Sequence, residues 1–458
     1  MGDHMTTSNA ARISAAVIAF VASALLTTVA QAAGSGPEPM LIAGIPVDFI
    51  LFALTLLGVA VFSNQTFYVA LTGLAAITAY KVLLAGFKFG TGLTGLIGHM
   101  QHEWVTLANL FLLLMGFALL ARHFEKSGVP DVMPRYLPDD WKGPFCLLVI
   151  VFVISSFLDN IAAALIGGAM AIKLFRNKVH IGYVAALVAA SNAGGSGSVV
   201  GDTTTTMMWI DGVSPVSVFD AYVAAVVALV VCGIPAAFQQ QRYSPIMKDE
   251  TPGHHMDWPR VFIVLLILLT AILANVYANL NFKDLLDSLP IIGLGVWAAI
   301  LVTVPIRQPD WHLLPENFKG TIFLIALVTC ASMMPVEKLP APSWETALGL
   351  GFLSAVFDNI PLTALALKQG GHDWGFLAYA VGFGGSMIWF GSSAGVGIAN
   401  MFPESRNAFK WIFHGWHVIL GYVVGFFVML AILGWKADKP HKRAELHNPP
   451  TAIERLAT

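Results

Sequence analysis

Long apolar stretches recur along almost the whole chain, and they constrain its fold more than any other feature. Runs of about 18 or more residues with few charges have the length needed to cross the hydrocarbon core of a bilayer. Only 11% of the residues are charged and the mean hydropathy is +0.73, whereas soluble domains carry about 25% charged residues. So little charge could not cover a soluble surface. The sequence therefore predicts an all-α polytopic membrane protein surrounded by the lipid bilayer.

Two apolar segments differ from the rest because charged and amide side chains interrupt them. Segment 144–175 contains Asp159-Asn160, and segment 344–368 contains Asp358-Asn359 followed by Pro361. Such residues are tolerated at membrane depth only where the backbone lines a protein cavity. We therefore predict that both segments are re-entrant hairpins, which also keeps most Lys and Arg residues in the predicted cytoplasmic loops. The predicted crossing spans are 46–63, 66–87, 104–122, 181–210, 217–238, 260–279, 288–305, 319–335, 374–400 and 411–434.

An internal repeat organises these segments into two halves. SSFLDNIAAAL around Asp159 resembles SAVFDNIPLTAL around Asp358, and a glycine-rich interruption follows each, in 194–203 and 384–393. Each half contains five predicted spans and one hairpin, and an odd number of crossings gives the halves opposite orientations. The prediction is two inverted repeats of five transmembrane helices, each with a re-entrant hairpin and a broken helix. The predicted parts are a first repeat 40–238, a cytoplasmic linker 239–259, a second repeat 260–435 and a polar tail 436–458.

The first 32 residues carry a separate signal. Residues 1–4 have the character of a cloning remnant before Met5, and Arg12 then precedes an apolar run over 13–29 that ends near Ala30-Gln31-Ala32. This pattern is typical of a secretory signal. A retained first transmembrane segment is the alternative.

The interrupted segments bring oxygen-bearing side chains together, which suits a hard cation such as Na⁺. Carbonyl groups in the glycine-rich interruptions and the dipoles of half-helices add to the field there. The predicted backbone contributors are Gly194, Gly195, Ser196, Gly384, Gly385 and Ser386. The predicted side-chain set is Asp159, Asn160, Asn192, Asp202, Thr203, Thr204, Asp358, Asn359, Ser392 and Ser393.

Asp159, Asp202 and Asp358 are the predicted Na⁺ ligands and proton carriers. Burial favours the neutral form of a carboxylate, whereas a bound cation favours its charged form, so Na⁺ and H⁺ compete for one site. A purely structural role is the alternative, because Asp and Asn often cap turns and helices. Asp202 in particular is placed to cap a half-helix over 203–210.

These residues give the chain a resemblance to the NhaD-type Na⁺/H⁺ antiporters of the ion transporter superfamily. The resemblance covers residues 40 to 435 and rests on SFLDNIAAALIGG, SNAGGSGSVVGDTTTTMMWIDG, FDNIPLTALAL and GSSAGVGIANMFPE. It implies exchange of Na⁺ or Li⁺ for H⁺, activity at alkaline pH, a bacterial cytoplasmic membrane, and a homodimer with a scaffold and a moving region. It also implies roles for Asp159, Asn160, Asn192, Asp202, Thr204, Asp358 and Ser393.

Other functions remain as alternatives of lower rank. A Na⁺-coupled importer of a small anion or metabolite would use the same hairpins, and a passive channel fits poorly with paired titratable groups. An enzyme is not expected, because the sequence has no HExxH motif and no span-embedded histidine lies near Gly195-Ser196-Gly197 in the sequence. No basic block indicates nucleic acid, and no cofactor is predicted. His99 with His102, and His417 with Trp411, are interpreted as residues of the membrane interface, with a pH sensor as the alternative for His99.

Overall fold

The computed structural model describes residues 40–62, 65–132, 136–247, 256–281 and 288–438, and its fold is almost entirely helical. By length and composition, five of its helical segments can cross a bilayer: Thr66–Ala85, Gly92–Glu125, Pro215–Tyr243, Leu313–Ser332 and Trp416–Leu433. The chain is therefore a polytopic membrane protein, as predicted. The predicted leader 1–32 and residues 439–458 of the predicted tail lie outside the described residues.

The first half opens with a small antiparallel ribbon of β1 (Leu41–Ile42) and β2 (Ile45–Pro46). A π-helical turn, Lys81–Ala85, extends its second helix. Its helices are α1 (Val47–Val61), α2 (Thr66–Tyr80), α3 (Gly92–Glu125), α4 (Val129–Val132), α5 (Lys142–Ser155), α6 (Asn160–Leu174), α7 (Ile181–Ser196), α8 (Thr203–Ile210), α9 (Pro215–Phe219) and α10 (Ala221–Tyr243).

The second half is also helical, and its described residues, 256–281 and 288–438, contain no strand. Two short 3₁₀ turns, Val336–Lys338 and Pro403–Arg406, connect parts of it. Its helices are α11 (Trp258–Asn281), α12 (Ile291–Thr303), α13 (Leu313–Ser332), α14 (Trp344–Ser354), α15 (Asn359–Gln369), α16 (Trp374–Gly384), α17 (Ser393–Met401), α18 (Ala408–His414) and α19 (Trp416–Leu433).

The longer helices pack as two groups. The frame group consists of α1, α2, α3, α11, α12 and α13, and the core group consists of α5 to α10 with α14 to α19. Packing is extensive inside each group, whereas contact between the groups is concentrated where α13 meets α15 and where α3 meets α8. The two groups therefore meet along a limited boundary.

Each interrupted apolar segment forms two short helices that pack against each other. Residues 156–159 connect α5 to α6, and residues 355–358 connect α14 to α15. Close approach of the backbones requires glycine at Gly194, where a Cβ atom would collide with the carbonyl of Phe152. Gly384 meets the carbonyl of Gly351 in the same way. Both helix pairs can therefore lie directly against a broken helix.

Matching serines fix the two helix pairs in place. The Ser155 hydroxyl donates a 2.6 Å hydrogen bond to the carbonyl of Ser191, and the Ser354 hydroxyl donates a 2.7 Å bond to the carbonyl of Val381. Both are buried hydroxyls that bond across to a neighbouring helix. The repeated sequence thus makes the same tertiary contact twice.

Corresponding helices of the two halves run antiparallel where they touch. A Cβ atom at Gly421 would lie 3.0 Å from the carbonyl of Ala228, and one at Gly425 would lie 2.6 Å from that of Ala224. Numbering rises along α19 as it falls along α10. Contacts between α3 and α13 run in opposite directions as well.

Both glycine-rich interruptions break their helices. Residues 197–202 separate α7 from α8, and residues 385–392 separate α16 from α17. Two other helices are longer than their predicted spans, since α3 begins at Gly92 and α10 continues to Tyr243.

Candidate ion-binding site

Four helices of the core group begin with a polar N-cap residue at a hairpin tip or a helix break. Each cap side chain accepts a hydrogen bond from a backbone N–H in the first turn, which satisfies a donor that the helix leaves free. Three of the caps are the predicted aspartates, and the positive end of each helix stabilises their negative charge. The bonds reach Asp159 from Ile161 (3.1 Å), Asp202 from Thr204 (3.0 Å), Asp358 from Ile360 (3.0 Å) and Ser392 from Gly395 (3.2 Å).

A chain of amide groups connects these helix ends across the two halves. The Asn160 amide donates to the Asn192 side-chain oxygen and to Asp202 Oδ2, both at 3.0 Å. The Asn192 amide donates to the hydroxyls of Ser386 at 2.9 Å and Ser392 at 3.1 Å. All five side chains are buried. The hydrogen bonds of α6, α7 and the second broken helix therefore converge on Asn192, and the bond from Asn160 to Asp202 adds α8.

Two of the aspartates share a small cavity. Asp159, Asp202 and Thr203 line an enclosed space of about 10 Å³ against the apolar face of α3, which is close to the size that holds one water molecule. Asp358 instead accepts a 3.1 Å hydrogen bond from the hydroxyl of Ser393. Asp202 lies near enough to both Asp159 and Asp358 for their negative charges to repel one another.

A large open cavity leads from the surface of the molecule to this region. Its volume is about 820 Å³, and it lies between the frame group and the core group. Its walls are mostly apolar, and Arg122, Glu125, Lys126 and Lys173 line it at the C-terminal ends of α3 and α6. Asp159 and Ser393 also line this cavity. Asp159 therefore borders both the open cavity and the small enclosed one.

Thr204 contributes a hydroxyl that lies beside the Asp202 carboxylate but makes no hydrogen bond of normal geometry with the described residues. Its hydroxyl is fully buried, and Thr204 is the second residue of α8, two positions after Asp202. A buried hydroxyl usually bonds to protein or water, because an unmet polar group costs about 1–3 kcal/mol. The Thr204 oxygen is thus available to a bound ion or water.

In the second half, the side-chain amide nitrogen of Asn359 is a buried donor without a partner among the described residues. Its counterpart Asn160 bonds to Asn192 and Asp202, but the gapless alignment of the glycine-rich segments places Gly382 and Ser392 at those two positions. Glycine supplies no acceptor. The hydroxyl of Ser392 already accepts two other hydrogen bonds. The two repeats therefore have similar backbones but different hydrogen-bonding side chains at these positions.

The predicted backbone contributors lie around these groups. A Cβ atom at Gly195 would lie 2.6 Å from the carbonyl of Gly201, and one at Gly385 would lie 2.8 Å from that of Gly391. Ser196 packs beside Gly382, where helices α7 and α16 cross. The two breaks are thus folded tightly onto their own helices.

The donor set suits a cation that prefers oxygen. Within the described ranges, no three His, Cys, Asp or Glu side chains are grouped closely enough to hold a metal ion. One ion would therefore use one or two of the three aspartates, and neutral oxygens such as those of Thr203 and Thr204 would complete its shell.

Comparison with known proteins identifies the family. Residues 69–371, which include both hairpin tips, match the family model described as a citrate transporter, CitMHS. The chain belongs to the citrate transporter family. Members of this family are transporters, so the chain is a transporter and not an enzyme.

This chain is also similar to proteins named as antiporters, which confirms the NhaD-type resemblance. It is 26% identical over 336 residues to sodium/proton antiporter 1 of Arabidopsis thaliana, covering 65% of this chain and 57% of that protein. It is 25% identical over 357 residues to the Na⁺/H⁺ antiporter NhaD of Vibrio parahaemolyticus, covering 65% of this chain and 84% of that protein. For NhaD of Alkalimonas amylolytica the identity is 25% over 402 residues, with 74% and 80% covered.

Sequence reasoning missed one residue that supports the site of this transporter. Trp411 was assigned to the membrane interface, but it is 1% exposed and its indole N–H donates a 3.1 Å hydrogen bond to the carbonyl of Ser386. It thereby fixes the segment whose hydroxyl binds Asn192. No local signal in the sequence distinguishes it from an interfacial tryptophan.

The interfacial assignment was also wrong for two histidines. His99 is 5% exposed, and its Nε2 lies 3.0 Å from the hydroxyl of Ser332 in α13. His417 is fully buried, and its Nε2 lies 3.3 Å from Gln239 Oε1. Both side chains pack between helices, and the polar partner of each Nε2 atom comes from a distant part of the sequence.

Proposed function

We propose that the protein is a secondary antiporter that exports Na⁺, and also Li⁺, in exchange for H⁺. The single observation that carries the proposal is that Asp159 borders both the open cavity and the enclosed space that it shares with Asp202 and Thr203. An ion could enter along the open cavity, meet Asp159 first, and pass to Asp202 through the small space that both carboxylates line.

Competition for the same oxygens would couple the two ions. Buried carboxylates hold a proton when no cation is near, and a cation displaces that proton because it stabilises the charged form. The Asn160 amide and the Thr204 N–H each donate to Asp202, so they would stabilise its charge after the proton leaves. Thr203 and Thr204 would supply neutral ligands. Asp358 with Ser393 would form a third, coupled acid site.

The architecture that we propose is two inverted repeats with re-entrant hairpins at 144–175 and 344–368. Its support is the matching pair of serine bonds and the antiparallel packing of corresponding helices. Helices α5, α6, α14 and α15 have 14, 15, 11 and 11 residues, whereas a crossing helix needs about 20. Each pair would enter the membrane and return on the same side.

Alternating access would then expose the aspartates to one side of the membrane at a time. Arg122, Lys126 and Lys173 line the open cavity at the C-terminal ends of α3 and α6. Because basic residues at span ends are typical of the cytoplasmic side, this conformation would face the cytoplasm. A bacterial cytoplasmic membrane and a homodimer, with the frame group static and the core group moving, complete the proposal.

Proteoliposomes containing the purified protein and a pH-sensitive dye test the exchange. Addition of Na⁺ should release protons with no organic solute present, and Asp159→Asn and Asp202→Asn should each abolish that release. Glu404→Gln, at an exposed carboxylate, is the matched control. Unchanged exchange in both aspartate variants would contradict the proposal.

A Na⁺-coupled importer of a small anion is the second candidate, since the family model is described as a citrate transporter and three basic residues line the open cavity. Against it, Asp159 at the same cavity would repel a carboxylate. Counterflow of labelled citrate separates the two, because an importer requires an organic anion and an antiporter does not.

A further inference from the structure

A lysine of the second hairpin joins the core group to the frame group at the end opposite the open cavity. Lys368 lies in the last turn of α15, and its ammonium group donates to the backbone carbonyls of Ser332 and, at 2.6 Å, of Met334. Ser332 is the last residue of α13, so its carbonyl has no partner within the helix and lies at the negative end of the helix dipole. Met334 lies two residues beyond the helix. His99 of α3 meets the same serine.

The repeat relates this contact to the open cavity. Because Asp159 and Asp358 correspond, Ala169 of α6 corresponds to Lys368 of α15 along their uninterrupted helices. Ala169 is exposed and lines the open cavity. The same relation pairs Leu165, which is 36% exposed and lines that cavity, with Ala364, which is 7% exposed. One hairpin thus stands away from the frame group while its counterpart is packed against it.

We infer that Lys368 is a positioning residue for transport, which closes one side of the molecule by binding the end of α13 and so favours the state that opens at Arg122. The inference rests on the proposed alternating access. A charge-assisted bond to backbone carbonyls is strong in a water-poor setting, and the other hairpin has only the methyl group of Ala169 at the equivalent position. The ammonium must leave both carbonyls each time the second hairpin moves away from α13.

Cysteine labelling of the purified protein in nanodiscs measures the two states directly. The background carries Cys146→Ser, because Cys146 is partly exposed, and retains the buried Cys232 as a reporter of unfolding. Ala169→Cys should react quickly with a water-soluble thiol reagent and Ala364→Cys slowly. Lys368→Met should raise the reaction rate of the cysteine at 364 about ten-fold, the change expected for one charge-assisted hydrogen bond, and lower that of the cysteine at 169.

Lys338→Met is the matched control, because Lys338 is an exposed lysine in the turn that follows α13. It should leave both labelling rates unchanged. A faster reaction at 364 that is accompanied by labelling of Cys232 would show unfolding and overturn the inference. Equal labelling rates of the cysteine at 364 in folded protein with Lys368 and in folded protein with Lys368→Met would also overturn the inference. The readout does not use ion flux, so failed Na⁺/H⁺ exchange with shifted labelling would contradict the proposed function alone.

Discussion

At the scale of single residues, the site is defined by how each polar atom is satisfied. Asn192 uses its whole amide group to hold Asn160, Ser386 and Ser392 together, so its role is structural as well as polar. Thr204 differs, because its hydroxyl is buried and makes no hydrogen bond of normal geometry with the described residues. Buried polar groups are rarely left in that state. Asn192 therefore supports the structure of the site, whereas the Thr204 oxygen can bind an ion.

Replacing Thr204 with Val should therefore weaken Na⁺ binding without weakening the fold. The change removes one candidate ligand and, among the described residues, no hydrogen bond to a neighbouring helix, since the polar group that lies beside the Thr204 hydroxyl is the Asp202 carboxylate. We therefore expect the Na⁺ concentration for half-maximal proton release to rise about ten-fold, as for the loss of one strong polar contact. Thr204→Ser, which keeps the oxygen, should restore affinity. Dose–response curves in proteoliposomes and thermal unfolding measure the two effects. An unaltered Na⁺ response in Thr204→Val would show that this oxygen is not a ligand.

The neighbouring Thr205 should behave in the opposite way. Its hydroxyl donates to the carbonyls of Ser198 at 2.6 Å and Asp202 at 2.9 Å, so it ties the broken segment to α8. Thr205→Val should lower the free energy of unfolding by about 1–2 kcal/mol, because carbonyls lose their donor, with little change in Na⁺ affinity of the protein that remains folded. Thermal unfolding of both valine variants side by side makes the comparison. A larger loss of stability at Thr204 than at Thr205 would reverse the assignment.

At the scale of helices, glycines set how closely each hairpin approaches its broken helix. A side chain at Gly194 or Gly384 would meet a backbone carbonyl, and a backbone cannot move aside as a side chain can. A Cβ atom added at Gly349 in α14 would meet no atom within 4 Å. Alanine substitutions at Gly194 and Gly384 therefore test a steric requirement, whereas the substitution at Gly349 tests helix propensity alone.

We expect Gly194→Ala and Gly384→Ala each to destabilise the protein by about 1–3 kcal/mol, the usual range for forcing extra volume into a packed site. Gly349→Ala should be neutral or stabilising by up to about 1 kcal/mol, because alanine favours helix more than glycine. Thermal unfolding in detergent and the yield of monodisperse protein test this. If Gly194→Ala unfolds at the same temperature as Gly349→Ala, the hairpins pack less closely than described.

The sequence predicted the elements of the site better than their contacts. Asp-Asn pairs and glycine-rich runs signal helix interruptions through local chemistry alone, so the tips at Asp159 and Asp358 and the cap at Asp202 were predictable. The bond from Trp411 to Ser386 and the burial of His99 depend on packing between distant segments, which periodicity does not encode. The start of α3 at Gly92 was also missed, because polar residues before position 104 continue the helix beyond its apolar part.

Charged residues beside the open cavity form a network that should be insensitive to pH in the working range. Hydrogen bonds from Lys126, and then from Arg122, lower the pKa of Asp310 from 3.8 to about 2. A lowered pKa means that the contribution of Asp310 to stability is fully present above its ordinary pKa and is lost only as the pH falls towards 2. This network, which joins the end of α3 to the segment before α13, cannot supply a pH response near neutrality.

Asp310→Asn should accordingly leave the pH dependence of exchange unchanged. The variant removes a charge beside Arg122 and Lys126, so the maximal rate can fall, but the pH of half-maximal proton release should stay within about 0.3 units because the titrating groups are elsewhere. Rates measured from pH 6 to pH 9 test this, with Glu404→Gln as the exposed control. A displaced midpoint in Asp310→Asn alone would show that the network takes part in pH sensing.

At the scale of the whole molecule, ion binding and folding should be linked. The core group is held together at the site by Asn192, and a cation bound between Asp159, Asp202 and the threonines would add a further connection among α6, α7 and α8. A ligand that binds only the folded state stabilises it by about 2.7 kcal/mol at one hundred times its dissociation constant. Na⁺ should therefore raise the unfolding temperature, whereas choline at equal ionic strength should not.

Proton competition sets the sign of the pH dependence of this stabilisation. If one proton and one Na⁺ exclude each other, the apparent dissociation constant for Na⁺ rises as the pH falls, by up to ten-fold per unit once the site is mostly protonated. Thermal shifts measured at a fixed Na⁺ concentration should thus be largest at alkaline pH and disappear at acidic pH. Asp202→Asn should remove the shift at every pH, and Glu404→Gln should retain it. A shift of equal size from pH 6 to pH 9 would mean that Na⁺ binds without displacing a proton, and the exchange mechanism would then have no shared site on which to act.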